Sequence, residues 1–283
     1  MFNKIRLKAN WRNLDPVWRW NTRHARKLHE GVTDWVGARK AANMLKKYGI
    51  ATTKYEEFEK AVPFAELLEY KGSLTPAGVN RLKPYLIEWW KNEVLDLNNP
   101  FVKLALSKYV LQIVSDYLGC WPRLYDYRLW ETKVIKPEER KIYSQMWHRD
   151  PEDKKLLNMF IYLNDVLDEG TGPFHYVPGS HSEGPHWKTL PQILPPKASY
   201  PGDGNVERAF KDNILVALAP AGTVIFADTA GLHKGGFSTE KPRLMFKALY
   251  TSAGNFYNNK TRYETPDIFM GLTDQQYYAI GLL

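Results

Sequence analysis

The sequence predicts an α+β protein in which helices come first and a β-sandwich or barrel follows. Three observations lead there. Before Gly119 the apolar residues recur at helical spacing, as in Trp35, Val36, Ala41, Ala42, Met44 and Leu45. After Trp121-Pro122 the period falls to two, the mark of half-buried strands. A chain of 283 residues with 44% hydrophobic and 14% aromatic content can also bury one large core, without disorder or a fibrous repeat.

Residues 1–35 interleave Trp11, Trp18, Trp20 and Trp35 with Lys4, Arg6, Lys8, Arg12, Arg19, Arg23, Arg26 and Lys27. The expectation is a short helix over 15–29 that docks its aromatics on the main body and leaves its charges in water. A helix over 34–48 should close at Gly49, a residue suited to the left-handed cap, and lead into a strand over 50–53. Two further helices are predicted over 76–97 and 99–119, the second carrying Leu104, Leu111, Val114 and Leu118 on one side. Strands are predicted over 128–135, 140–148, 156–164, 174–177, 223–227 and 243–251. Turns at Lys136-Pro137, Asp168-Glu169-Gly170, Pro178-Gly179 and Pro220-Ala221-Gly222 separate them. The segment 182–219 is rich in proline, glycine and polar residues, and its length suits a lid or binding loop.

The chemistry gathers at Met146-Trp147-His148-Arg149-Asp150. In an extended segment alternate side chains share a face, so His148 and Asp150 project side by side while Arg149 points away. A second histidine, His233, follows the strand that ends near Asp228. Two imidazoles and one carboxylate form the donor set of a facial triad that holds Fe(II) and leaves three positions open. Open positions suit an oxygen-activating iron, since O2 and a chelating cosubstrate must both reach it. Arg243, at the head of the last strand, then has a role. Its planar fork can grip the far carboxylate of 2-oxoglutarate through two bonds, which lysine cannot reproduce; Lys247, of the same strand parity, is the next candidate anchor.

These residues resemble the phytanoyl-CoA dioxygenase-like branch of Fe(II)/2-oxoglutarate-dependent oxygenases. The likeness runs from about Met44 to Ser252, through "MLKKYGIATT", "IVSDYLG", "HRD", "FIYLND", "GTGPFHYVPGSH", "AGTVIFADTAGLHKGG" and the arginine of "KPRLMF". It implies a double-stranded β-helix (jelly-roll, cupin-like) core with N-terminal covering helices. It also implies His148, Asp150 and His233 as catalytic iron ligands, Arg243 as the 2-oxoglutarate anchor, and O2 as second cosubstrate. The implied reaction is hydroxylation of an unactivated C–H of a small metabolite with release of succinate and CO2. Related halogenases leave the carboxylate position empty for chloride, so Asp150 argues against halogenation. Two departures from the family pattern stand out: the His233–Arg243 spacing is about one residue short, and Lys234 with two glycines follows His233 where a small hydroxyl residue is common.

Parity extends the site. On the strand 156–164, Leu157, Met159, Ile161 and Leu163 form an oily face for covering helices, leaving Asn158, Phe160 and Tyr162 for the cavity. Asn158 and Tyr162 are candidate cosubstrate or substrate contacts, and Phe160 a candidate substrate contact. The resemblance turns Trp130, Thr132 and Val134 inward, making Thr132 a candidate cosubstrate contact. His175 is a candidate substrate contact, or a structural histidine. His181 is expected to fix a turn, and His24, His29 and His186 to sit at the surface.

Composition narrows the rest. The single cysteine, Cys120, cannot form an internal disulfide, and neither a signal-peptide core nor a run of about 18 apolar residues is present, so a soluble cytoplasmic protein without a membrane partner is expected. The net charge of +8 comes from scattered Lys and Arg with no nucleic-acid-reading motif, which argues against nucleic acid and favours an anionic small-molecule substrate. The expected organisation is an N-terminal extension (1–35), an oxygenase domain (36–255, with a lid-like insertion at 182–219) and a C-terminal tail (256–283). Two other readings compete: a non-catalytic binding protein on the same fold, and a cupin-like metalloenzyme that does not use 2-oxoglutarate.

Overall fold

The computed structural model describes residues 15–29, 35–90, 95–136, 138–191, 200–255 and 270–283. Trp11, the basic residues before it, the 192–199 part of the insertion and the 256–269 part of the tail lie outside them. Helices α1 (Asp15–Asn21), α2 (Arg23–Leu28) and α3 (Val36–Tyr48) lead into β1 (Ile50–Lys54) and α4 (Phe64–Ser73). The hairpin β2 (Gly78–Val79) and β3 (Leu86–Glu88) follows, then α5 (Pro100–Ala105), α6 (Lys108–Leu118) and β4 (Arg123–Thr132). After these come β5 (Leu156–Tyr162), β6 (Phe174–Tyr176), α7 (Asp203–Phe210), β7 (Leu215–Ala217), β8 (Thr223–Ala227), β9 (His233–Lys234), β10 (Arg243–Thr251) and α8 (Asp274–Ala279).

The strands form a seven-stranded sheet in the order β1-β8-β5-β10-β4-β3-β2 and a three-stranded sheet in the order β7-β6-β9. All pairings between these strands are antiparallel. The long central strands present two faces of different chemistry. Leu157, Met159 and Ile161 of β5, with Phe246 and Ala248 of β10 and Val224 and Phe226 of β8, pack in one cluster with the helical residues Leu45, Phe101, Leu111 and Val114. Phe160, Tyr162, Ile225 and Met245 project oppositely and meet Phe174, Tyr176 and Ala217 of the smaller sheet. The alternation expected for β5 therefore holds, and the second face encloses the space in which a site can be built.

Local sequence explains the covering layer. Ala38, Ala42 and Leu45 turn one stripe of α3 inward, and the helix stops at Gly49, whose φ of 77° is left-handed and whose N–H reaches the Leu45 carbonyl. A side chain at Gly49 would strike the Tyr176 hydroxyl and the His181 ring. The predicted helix 99–119 is instead two, α5 and α6, because the Ser107 hydroxyl accepts the Val110 N–H and starts a new helix there. The predicted helix 15–29 also divides, into α1 and α2. Trp18 docks through its ring N–H on Asp153 at 3.1 Å. Trp20 remains largely exposed, with the Arg23 guanidinium 4.1 Å from its ring.

Several expectations need correction. The described residues 76–90 do not form a helix: 78–79 and 86–88 are a hairpin, and β3 extends the large sheet beside β4. The physical reason is local, since Pro76 and Pro84 break helical bonding and the Asn80 side chain accepts the N–H groups of Leu82 and Lys83 in a turn. The expected strand 140–148 is mostly irregular, with a 3₁₀ turn at Tyr143–Gln145, and only His148 joins a strand partner. Val134 lies beyond the end of β4 and is exposed rather than inward. His29 is not a free surface group; it is half-buried 3.5 Å from Asp116. Within 182–219 the structure has a helix and a strand, α7 and β7; Val206 and Phe210, one helical turn apart, seat α7 on Trp147, Val177 and Leu232. His186 lies edge-on to Phe210 instead of free in solvent. Residues of both terminal segments enter the main core, Ala25 from α2 and Tyr278, Ala279 and Ile280 from the α8 region. No helix among the described residues is long and apolar enough to cross a membrane.

Candidate metal centre

His148 and His233 face each other across a two-residue antiparallel bridge, and each donates its backbone N–H to the other's carbonyl, at 2.9 and 3.0 Å. Segments 85 residues apart in sequence thereby set their imidazoles 4.1 Å apart between ring centres. Asp150 is held by a further backbone bond to the Thr229 carbonyl, 2.8 Å. Its two carboxylate oxygens each approach one histidine, 3.7 Å from His148 Nε2 and 3.7 Å from His233 Nε2. One donor atom from each of the three residues lies within 4.8 Å of the others. Among the described residues this is the one such group of three or more His, Cys, Asp or Glu.

The tautomers are fixed by the backbone. His148 Nδ1 contacts the Met146 carbonyl at 2.8 Å and His233 Nδ1 the Gly231 carbonyl at 3.0 Å. A carbonyl only accepts, so Nδ1 carries the proton in each ring and both Nε2 lone pairs are free to bind a metal. Burial, then the charge of its neighbour His233, pushes the His148 pKa down to about 3, and burial lowers that of His233. Burial works against ionisation of Asp150, but His233, Lys247, His148 and a hydrogen bond with Thr229 outweigh it and hold the carboxyl below its usual range. Two neutral imidazoles and one carboxylate are the state a divalent metal requires.

A cleft enclosing about 590 Å³ of empty space, its mouth included, opens onto this triad. Thr132, Asn158, Phe160 and Arg243 line it, as the sequence reading expected, together with Trp130. Arg243 lies directly opposite Thr132 across the β10–β4 pair. It is buried, donates to the Gly172 carbonyl, and keeps a buried Nε without a partner among the described residues. Asn158 gives its amide N–H to Asp150 Oδ2 at 3.3 Å and to the Thr229 hydroxyl, while its Oδ1 is buried without a partner. Polar atoms left unpaired in a cleft beside a metal donor set are costly unless a ligand or water meets them, which fits a site built for a polar molecule.

Two expected residues do not line the cleft. Tyr162 stands behind it, its hydroxyl donating to the Ala217 carbonyl and accepting the Phe174 N–H, and it interacts with Arg243. Its place is to support the arginine. His175 has Nδ1 on the Pro173 carbonyl and lies edge-on to Trp147, away from the cleft lining. Burial, then Lys234, pushes its pKa down to about 4. His181 reaches the Lys46 carbonyl at 3.2 Å and ties the 178–181 turn to α3. Lys83 and Lys247 both line the cleft; Lys83 escaped notice because 76–97 reads as a helix, although Pro76, Gly78 and Pro84 argue for a hairpin.

Neither a family model nor a curated protein sequence matches the chain. Solved structures share its fold. HygX from Streptomyces hygroscopicus, solved with nickel, 2-oxoglutarate and hygromycin B bound, is 18% identical, with 82% of this chain and 94% of that one covered and a TM-score of 0.52. EctD from S. alaskensis, with 2-oxoglutarate and 5-hydroxyectoine, is 21% identical over 82% and 84%, TM-score 0.52. The epimerase SnoN, in complex with Fe3+, alpha ketoglutarate and nogalamycin RO, is 18% identical over 76% and 84%, TM-score 0.51. At these identities the likeness is one of fold.

Proposed function

We propose that this protein is an Fe(II)- and 2-oxoglutarate-dependent oxygenase of the phytanoyl-CoA dioxygenase-like branch, its two sheets forming a double-stranded β-helix, and that it hydroxylates an unactivated C–H of a small molecule. One observation carries the reading: the cleft that holds His148, Asp150 and His233 also holds a buried, partly unpaired Arg243 on the neighbouring strand. Metal binding alone needs no such arginine. Of the proteins of like fold described above, SnoN is solved with Fe3+ and alpha ketoglutarate and HygX with nickel and 2-oxoglutarate, which supports the same pairing here.

His148, Asp150 and His233 would hold the metal and leave room beside it for a chelating cosubstrate. Fe(II) held there would supply O2 activation coupled to oxidative decarboxylation of 2-oxoglutarate to succinate and CO2. The chain does the rest. Arg243 binds the far carboxylate through its fork, and Thr132 across the strand pair offers a hydroxyl to the same end. Asn158 orients Asp150. Phe160 and Trp130 exclude water and hold the substrate near the metal. Tyr200, with its ring 6.0 Å from that of His148, brings the start of the 200–219 stretch to the edge of the site.

The direct test is succinate formation from 2-oxoglutarate and O2 during a small-molecule screen, with product mass rising by one oxygen. The reading holds if succinate appears only with Fe(II) and is lost in H148A. It falls if iron binds but 2-oxoglutarate is never consumed with any candidate; iron-dependent turnover without 2-oxoglutarate would favour the cupin-like alternative, and ligand binding without turnover the non-catalytic one.

A further inference from the structure

The cleft holds more positive charge than iron and 2-oxoglutarate can use. Lys83, Arg243 and Lys247 line it, and Asp150 is the only carboxylate among its lining residues. A dication and a dianionic cosubstrate cancel, so two positive charges remain. Neither the Lys83 nor the Lys247 ammonium makes an ion pair among the described residues. Glu152 interacts electrostatically with both lysines but forms an ion pair with neither among the described residues.

Position separates these lysines from the arginine. Arg243, Met245 and Lys247 point from one face of β10 into the cleft. At about 3.3 Å per residue, the Cα atoms of Arg243 and Lys247 stand about 13 Å apart, more than one short diacid with its other end on the metal can bridge. Arg243 lies opposite Thr132, whereas Lys247 lies opposite Phe160 of β5, one step along the cleft face from Asn158 and hence towards Asp150. Lys83 reaches the same region: after burial, which lowers its pKa, the charges of Lys247, Asp150 and Glu152 act most strongly on its ammonium. Both ammoniums rest on one ring, at 5.6 Å (Lys83) and 5.5 Å (Lys247) from the centre of Trp130. Two like charges held beside one indole ring in a cleft repel each other, and an oxyanion that meets both removes that cost.

We propose that the primary substrate carries a carboxylate or phosphate group that seats between Lys83 and Lys247 over Trp130, at the metal end of the cleft away from Arg243. This rests on the oxygenase reading above. It assigns 2-oxoglutarate to one end of β10 and the substrate anion to the other.

The test uses the full chain with Fe(II) and 2-oxoglutarate under anaerobic conditions, where the visible charge-transfer band reports assembly. Inorganic phosphate and, separately, acetate are titrated in, and nuclear relaxation of the phosphate phosphorus and the acetate carboxyl carbon is compared with the same titration of the diamagnetic Zn(II) form. The expected result is a saturable paramagnetic enhancement from at least one anion, the responding one naming the substrate's group. K83Q and K247Q should each weaken it roughly tenfold or more, the loss of a charge-assisted bond, with the 2-oxoglutarate requirement of the band within about twofold of wild type. No saturable enhancement from either anion while the band is present overturns the proposal. So does unchanged anion affinity in both variants, or a loss of 2-oxoglutarate affinity as large as that for the anion, which would make the lysines cosubstrate contacts. Failure of the band itself in wild-type protein removes the oxygenase reading, and this inference with it.

Discussion

The reciprocal backbone pair of His148 and His233 fixes both imidazoles before any metal arrives, since each residue donates to and accepts from the other at 2.9 and 3.0 Å. With Nδ1 of each ring already committed to a carbonyl, only Nε2 can turn towards Asp150. The metal site is thus a property of the main chain as much as of three side chains.

Because the main-chain pair does not depend on the imidazoles, H148A or H233A should fold and yet lose iron. Removing one of three protein ligands leaves a site too weak and of the wrong shape. Iron stoichiometry after desalting is expected to fall from one to near zero, with no succinate formed; D150G should abolish hydroxylation and open the carboxylate position to chloride. Full iron occupancy in either histidine variant would dismiss the triad.

Replacing Arg243 by lysine should spare iron and damage cosubstrate binding. The fork contributes paired charge-assisted bonds, and losing one costs on the order of 1.5–3 kcal/mol, roughly tenfold to 150-fold in affinity. The half-saturating 2-oxoglutarate concentration, measured by succinate release, should rise by that factor. An unchanged value would move the anchor elsewhere, with Lys247 the first candidate.

Gly236 offers a test of how Arg243 is held. A methyl group there would collide with the backbone of Gly172, whose carbonyl accepts from the arginine. G236A should therefore cost about 1–3 kcal/mol of stability and weaken 2-oxoglutarate binding while iron binding persists. Denaturant titration and cosubstrate titration check the two halves; a variant with wild-type stability and affinity would show that the contact is not needed.

The thiol of Cys120 is fully buried, and burial pushes its pKa up to about 12. The folded thiol stays neutral where the unfolded one ionises, so its contribution to stability is complete below pH 9 and is lost as pH rises towards 12. Native protein should resist alkylation at pH 8 by a small iodo reagent, and unfolded protein should take up one equivalent. Rapid labelling of the native form would contradict the burial.

Much of this was legible in the chain, and the failures have physical causes. The alternation of Leu157, Met159 and Ile161 with Asn158, Phe160 and Tyr162 placed the cleft face correctly, because a central strand between helices and a second sheet gives each parity its own surroundings. Parity cannot say how deep a side chain ends, and so Tyr162 proved to lie behind Arg243 instead of in the cleft. Gly49 and Gly119 marked helix ends because both positions need a left-handed backbone. The hairpin at 78–88 was hidden by apolar residues whose spacing mimics a helix, and Lys83 was hidden with it. The strand expected over 174–177 is present as β6, but β7 and β9 are three and two residues long, too short for periodicity to reveal; pairing with β6 across distant sequence defines them.

The central claim, that one cleft holds iron on His148, Asp150 and His233 and 2-oxoglutarate between that iron and Arg243, is tested most directly by anaerobic titration of the purified protein with Fe(II) and 2-oxoglutarate. The account predicts a weak visible metal-to-ligand charge-transfer band that saturates at one equivalent of each, is absent in H148A, and in R243K requires roughly tenfold or more additional 2-oxoglutarate. Stoichiometric iron binding to wild-type protein with no such band at any 2-oxoglutarate concentration would contradict it.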